Sequence, residues 1–272
     1  MPRISPHAVV DPRAILADDV EVGPFCVVGP DVTIGTGTKL ISHVHISGHT
    51  TVGRDNTFFP NSVVGTVPQD LKYKGEPTKL VIGDRNTIRE GVTINIGTVT
   101  GAEVFGNATT RVGNNNLLMA NAHVGHDVQV GDRCIIANNV MLAGHIVIGN
   151  NAVISGGAGI TAFATVGDYA YLAAFAEVNH DCPPFMKVSG RDEVRALNVV
   201  ALQRANFSQS DIDALDEAAR KLFVSKRKPF AATLAEYAAK DGLNPHVKHL
   251  VDFLRRRDAG VHGRYLEGLR KT

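Results

Sequence analysis

From Val10 to Val178 an aliphatic residue or Phe recurs at almost every sixth position. The series runs through Val10, Leu16, Val22, Val28, Ile34, Leu40, Ile46, Val52, Phe58 and Val64, then Ile82, Ile88 and Ile94, then Val112 and every sixth residue to Val178. Of the 29 positions in this frame 25 fit, where an apolar content of 44% alone gives about 13. A period of six is neither the 3.6 of a helix nor the 2 of a simple strand. It fits a solenoid in which a short strand and a turn repeat with each hexad.

One bulky side chain per hexad then points inward. Two positions before it stands a small or aliphatic residue (Ala8, Ala14, Val20, Cys26, Val32), and a glycine often follows it (Gly23, Gly29, Gly53, Gly83). Those glycines predict tight turns with unusual dihedrals. Three hexads make a triangular coil of 18 residues, so residue i stacks on residue i+18 at the strand spacing of about 4.8 Å. The frame fails at Asp70, Glu76, Thr100 and Gly106, which predicts two stretches looping out of the tube, at about residues 67–79 and 97–110.

The hexads stop near Pro183-Pro184. Beyond them Ser208 with Asp211 predicts a helix to about Phe223, Pro229 a second, and Pro245 a third ending near Arg257. The expected fold is mainly β, a hexapeptide solenoid over residues 1–190. A helical domain over 191–272 caps its exposed end.

Composition narrows the class. Of the 272 residues no apolar run is long enough to span a membrane, and no signal peptide follows Met1, so a cytoplasmic protein is expected. Cys26, Cys134 and Cys182 are odd in number and lack CxxC spacing, which argues against a disulfide frame or structural zinc. A net charge of +1 hides an asymmetry: residues 191–272 hold 16 Lys+Arg against 11 Asp+Glu, and the first 190 hold 12 against 16. The basic excess includes Lys226, Arg227, Lys228 and Arg255, Arg256, Arg257. It suits a solvated helical face or an acidic protein partner better than nucleic acid, since no aromatic residues interleave with the charges.

With the interior filled by aliphatic side chains, chemistry must sit on outer faces or turns, and a convex face becomes a cleft only where another surface meets it. Oligomerisation is implied. The richest polar stretch is Asn121-Ala122-His123-Val124-Gly125-His126-Asp127, followed by Ala143-Gly144-His145. The 18-residue step sets His126 under Gly144 and Asp127 under His145. An imidazole beside a bare backbone N–H is the arrangement of an acyl-transfer site: a base for an attacking hydroxyl and a donor for the oxyanion. Asp127 is placed to hold the tautomer. A lone histidine at a polar turn is usually structural; the stacked glycine and three clustered histidines make this one a candidate.

Longer blocks add to this. Gln69-Asp70-Leu71-Lys72-Tyr73, Gly75-Glu76-Pro77-Thr78, Ile82-Gly83-Asp84-Arg85-Asn86, Asn121-Ala122-His123, Leu142-Ala143-Gly144-His145 and Leu197-Asn198-Val199-Val200 resemble the UDP-N-acetylglucosamine O-acyltransferases that open lipid A (lipopolysaccharide) biosynthesis. The resemblance runs from about Ile4 into the C-terminal helices. It implies a left-handed parallel β-helix assembled as a homotrimer with sites between subunits, an (R)-3-hydroxyacyl donor on acidic acyl carrier protein, and no cofactor or metal. It implies His126 as base with Asp127 beside it and the Gly144 N–H at the oxyanion. Gln69, Asp70, Lys72, His123 and His145 would line the cleft, while Asn198 and Arg204 would bind the acceptor, UDP-N-acetylglucosamine or a close analogue.

The chain departs from the family pattern at Thr161 and Ala162, where a His-Gln pair is usual, and at Ala205, where a second Arg is usual. These departures touch the acceptor side, leaving open a 3-amino sugar nucleotide, another nucleotide sugar, or binding without turnover. Tyr171 and Ala174 fall where the family's acyl pocket ends, which predicts a shorter preferred acyl chain. A γ-type carbonic anhydrase shares the solenoid and uses three interface histidines on a metal, but the spacing of His123, His126 and His145 does not match it.

Overall fold

In the computed structural model residues 1–225 and 227–270 are described; Lys226, named above in a basic cluster, lies outside them. Among the described residues three sheets of 11, nine and eight strands, parallel except for the last strand of the 11-stranded sheet, wind into a left-handed triangular coil. Most strands are two residues long, as a hexad shared with a turn dictates. The frame residues form one core: Val22, Ile34, Phe58, Ile94, Leu118, Ile136 and Leu172 are all buried. Removing each such side chain from water contributes about 1.5–3 kcal/mol.

Register follows the 18-residue coil, with two interruptions. Lys39 pairs with Thr57 and Leu117 with Ile135, each 18 residues on. Thr57 pairs with Thr87 and Thr87 with Leu117, each 30 on. The two extra steps are two excursions of two hexads each. The first spans residues 67–78; the second holds helix α1, Val99–Phe105. Both leave the corner between the nine- and eight-stranded sheets, the corner that carries His126 one coil later.

The glycines play a different part from the one expected. The corner position with positive φ is the third after most frame residues, and it is filled mostly by non-glycines, among them Asp127 (63°), His145 (61°) and Phe163 (66°). The glycines directly after the frame residue serve close stacking instead. A Cβ on Gly53 would meet the Gly83 carbonyl oxygen at 2.7 Å, and one on Gly83 would meet that of Gly113 at 2.7 Å.

The last coil ends in an antiparallel hairpin, Met186–Ser189 with Glu193–Leu197. Among the described residues five helices follow: α2 (Val199–Arg204), α3 (Gln209–Ala219), α4 (Phe230–Ala238), α5 (Pro245–Asp258) and α6 (Tyr265–Leu269). Ser208 caps α3 by accepting from the Asp211 N–H, and the helix runs on as a π-helical turn to Val224. Pro229 sits at the N-cap of α4, and Pro245 starts α5 behind the Asn244 cap. A second core joins Phe185, Met186 and Leu197 to Leu215, Leu250 and Leu254, so the hairpin belongs to both packing units.

Candidate active site

The 18-residue step builds two columns at one corner. His126, Gly144 and Ala162 form one; Asp127, His145 and Phe163, all in the left-handed region, form the other. The first column brings an imidazole against a glycine: a Cβ at Gly144 would stand 2.4 Å from Cε1 and 2.6 Å from Nε2 of His126. Only glycine fits there. In the second column the His145 ring stacks on Phe163, with centroids 4.4 Å apart, and meets His126 edge-on at 4.9 Å.

Asp127 is buried beneath both rings. Its Oδ2 lies 2.8 Å from His126 Nδ1 and accepts from Thr98 Oγ1 at 2.6 Å, while Oδ1 accepts from the Thr98 N–H at 2.8 Å. The second excursion therefore closes over the carboxylate. Its Gly101 leaves room, since a Cβ there would meet Asp127 Oδ1 at 1.9 Å. With Nδ1 turned to Asp127, Nε2 of His126 faces Gly144 and the cleft. Among the described residues the Gly144 N–H has no hydrogen-bond acceptor.

His145 stands near the same carboxylate, its Nδ1 3.6 Å from Asp127 Oδ2. That proximity does not make an ion pair. Burial pushes the His145 imidazole down to about 4, outweighing the carboxylate, and Nδ1 has no hydrogen-bond partner. His145 is neutral at neutral pH. His123 is also lowered, by burial first and by His126 second, and its Nδ1 meets Thr93 Oγ1 at 2.7 Å.

The corner cleft, about 180 Å³, is lined by His126, Gly144 and His145 together with Asp70 and Lys72 from the first excursion and Arg270 from beyond α6. Asp70 turns the excursion by accepting from the Lys72 N–H at 3.0 Å. A second hollow of about 510 Å³ opens on the face of the nine-stranded sheet, where His123, Met141, Gly159 and Glu177 stack on the outer side, with Gln69 at one end and Asn179 at the other.

Not every candidate residue is brought here. Asn198 is buried and donates to the Tyr169 carbonyl at 2.9 Å, at the corner between the eight- and 11-stranded sheets. Arg204 is exposed at the end of α2. Tyr171 lies half-buried on the 11-stranded sheet, beside Val153 and Lys187, and Ala174 on the turn after it. Within one chain these four stand away from His126.

Thr98, Thr93 and Arg270 are additions to the candidates. Thr98 left only a weak trace, a capping Thr three residues before Gly101. His126, Asp127 and His145 offer ligand-type atoms within 4.8 Å of one another, the one such group among the described residues. Asp127 Oδ2 is already shared by Thr98 Oγ1 and His126 Nδ1, so these donors face each other more than a common ion. His123 is no part of that group.

The coil and the paired imidazole and carboxylate at its corner define a hexapeptide-repeat transferase. The comparisons agree: the family described as bacterial transferase hexapeptide matches residues 109–144, and that described as Udp N-acetylglucosamine O-acyltransferase, domain 2, matches residues 181–262. The chain is 53% identical over 221 residues to the acyl-[acyl-carrier-protein]–UDP-N-acetylglucosamine O-acyltransferase of Saccharophagus degradans, covering 81% of this chain and 84% of that one. It is 41% identical to the enzyme of the same name from Thermodesulfovibrio yellowstonii, covering 96% and 99%. The crystal structure of a UDP-N-acetylglucosamine acyltransferase from Bacteroides fragilis superposes with a TM-score of 0.85 at 37% identity, over 93% of this chain and 96% of that chain. The chain belongs to the UDP-N-acetylglucosamine O-acyltransferase family.

Proposed function

We propose that the protein transfers an (R)-3-hydroxyacyl chain from acyl carrier protein to the 3-hydroxyl of UDP-N-acetylglucosamine, with His126 as general base. One observation carries this reading. His126 Nδ1 is held 2.8 Å from buried Asp127, which turns Nε2 toward Gly144 and the cleft. Nε2 takes the proton of the sugar hydroxyl as its oxygen attacks the thioester carbonyl. The Gly144 N–H stabilises the oxyanion, the C–S bond breaks, and the imidazolium returns the proton to the leaving thiolate. The hollow beside His123, where Met141 and Gly159 face outward, suits the acyl chain, and Asp70 and Lys72 suit the sugar nucleotide.

The proposal extends to a homotrimer. Asn198 and Arg204 lie at a different corner from His126, so the two groups meet only across a copy of the chain. Met141 is 57% exposed on the face of the hollow, an apolar wall awaiting a second surface. No helix among the described residues is long and apolar enough to cross a membrane; the place of action proposed is the cytoplasm.

A second reading concerns the acceptor alone. Ala162 lines the cleft where the family pattern has a polar side chain, which favours testing the 3-amino analogue beside the parent sugar nucleotide. The test is a panel of 3-hydroxyacyl carrier proteins of graded length against both acceptors, with products read by mass spectrometry. Acylated UDP-N-acetylglucosamine supports the first reading, the amide product the second, and no product from any pair contradicts both.

A further inference from the structure

After α5 the chain doubles back and is stapled to the catalytic corner. Asp181 N–H donates to the Gly263 carbonyl at 2.8 Å, Tyr265 N–H donates to Asp181 Oδ2 at 2.9 Å, and Arg264 Nη1 donates to the Asn179 carbonyl at 2.8 Å. Gly263 lies flat on His180, whose ring a Cβ would meet at 2.6 Å. Residue 180 continues the column of His126, Gly144 and Ala162, one coil further on. Helix α6, anchored by buried Leu266, then runs back along the corner and packs on α1. These staples hold the strap without any help from Arg270.

Arg270 is where the strap ends up. Its guanidinium carbon stands 5.7 Å from the centroid of the Phe163 ring, which stacks on His145, and the side chain lines the same cleft as His126 and Gly144. Its carboxylate neighbour Glu267 is at 3.7 Å, beyond hydrogen-bond length, and that carboxylate also serves Arg264 at 3.4 Å. Among the described residues the Arg270 side chain donates no hydrogen bond. On the lining of the cleft Lys72 and Arg270 stand with one carboxylate, Asp70, while Asp127 is buried beneath it and committed to Thr98 and His126, so the exposed groups offer an anion two cations. Position 270 lies beyond the stretch that the family match covers, residues 181–262.

We propose that Arg270 is a phosphate-binding residue of the catalytic cleft, delivered by the C-terminal strap. The guanidinium stands over the Phe163 ring, and its fork matches phosphate oxygens two at a time. The inference rests on the acyl-transfer reading of the cleft, in which both substrates carry phosphate: the diphosphate of the sugar nucleotide and the phosphodiester of the carrier's prosthetic arm.

The test uses the full chain as wild type, Arg270→Ala and Arg270→Lys. Binding of UDP-N-acetylglucosamine and of a 3-hydroxyacyl carrier protein is measured separately by calorimetry at two salt concentrations, with steady-state KM for each substrate. Arg270→Ala is expected to weaken one ligand about 10- to 100-fold, the loss of one charge-assisted contact. It should raise that ligand's KM more than it lowers kcat and flatten the salt dependence, and Arg270→Lys should recover part of the affinity. Loss on the sugar nucleotide assigns the contact to the diphosphate; loss on the carrier assigns it to the prosthetic arm. Unchanged affinity for both ligands, or a loss with an unaltered salt slope, overturns the proposal. If wild type binds neither ligand, the acyl-transfer reading fails and takes this one with it.

Discussion

A Cβ at Gly144 would lie 2.4 Å from the His126 ring, so the imidazole and the glycine are held at contact by the absence of one carbon. The 18-residue repeat puts them on adjacent coils, and the glycine lets the imidazole settle over the corner.

Gly144→Ala must therefore displace either the ring or the corner. A misplacement near 1 Å costs about 10² in rate. We expect kcat to fall by at least about that much, with a melting temperature close to wild type, because the atoms the methyl meets belong to the His126 side chain and not to backbone. Steady-state rates beside thermal melts check this; near-normal turnover would show that the approach of these two groups is incidental.

The stacking arithmetic was legible in the residues themselves. Twelve-residue breaks in the frame announced both excursions, and the 18-residue step placed His126 by Gly144 and Asp127 by His145. It also contained Phe163, one further step from His145. Helix α1 was hidden because Val99–Phe105 carries no periodic apolar face and holds a glycine. Its cap, Thr98, matters only through Asp127, 29 residues away, a contact that no local pattern records. The strap was hidden for the same reason, since Asp181 and Tyr265 are joined across 84 residues. The glycines after the frame residues serve stacking rather than turning, and a sequence does not separate the two, because close approach and positive φ leave the same mark.

Thr98 does two jobs, holding Asp127 Oδ2 at 2.6 Å and capping α1 through the Gly101 N–H. Thr98→Val should cost about 1–2 kcal/mol of stability and lower kcat roughly tenfold as the carboxylate loosens. Thr98→Ser, which keeps the hydroxyl, should behave as wild type. Equal behaviour of the two variants in denaturant titrations and rate assays would remove the hydroxyl from the account.

Stability should fall in mild acid through His145. Its folded value is depressed to about 4 from an ordinary 6.5, so between those values the unfolded chain binds the extra proton. The contribution is complete above about pH 6.5 and is lost as pH falls toward 4, with a slope of at most about 1.4 kcal/mol per pH unit. His145→Asn should flatten this part of the profile, measured by denaturant unfolding at pH 5, 6 and 7. An unchanged slope would assign the acid sensitivity elsewhere.

If Asn198 and His126 meet across subunits, the particle in solution has three times the mass of the 29.0 kDa chain. Light scattering on the eluting peak reads this directly. Mixed oligomers of His126→Ala and Asn198→Ala chains should regain part of the activity that each variant lacks alone; a monomeric active enzyme would break the link between the two corners.

The most direct measurement compares wild type with His126→Ala in single-turnover acyl transfer from a 3-hydroxyacyl carrier protein to UDP-N-acetylglucosamine, following product by mass spectrometry with both proteins matched for oligomeric state. The account predicts an acylated sugar nucleotide from wild type and a rate lower by about 10² to 10⁴ from the variant. Equal rates from the two proteins would contradict it.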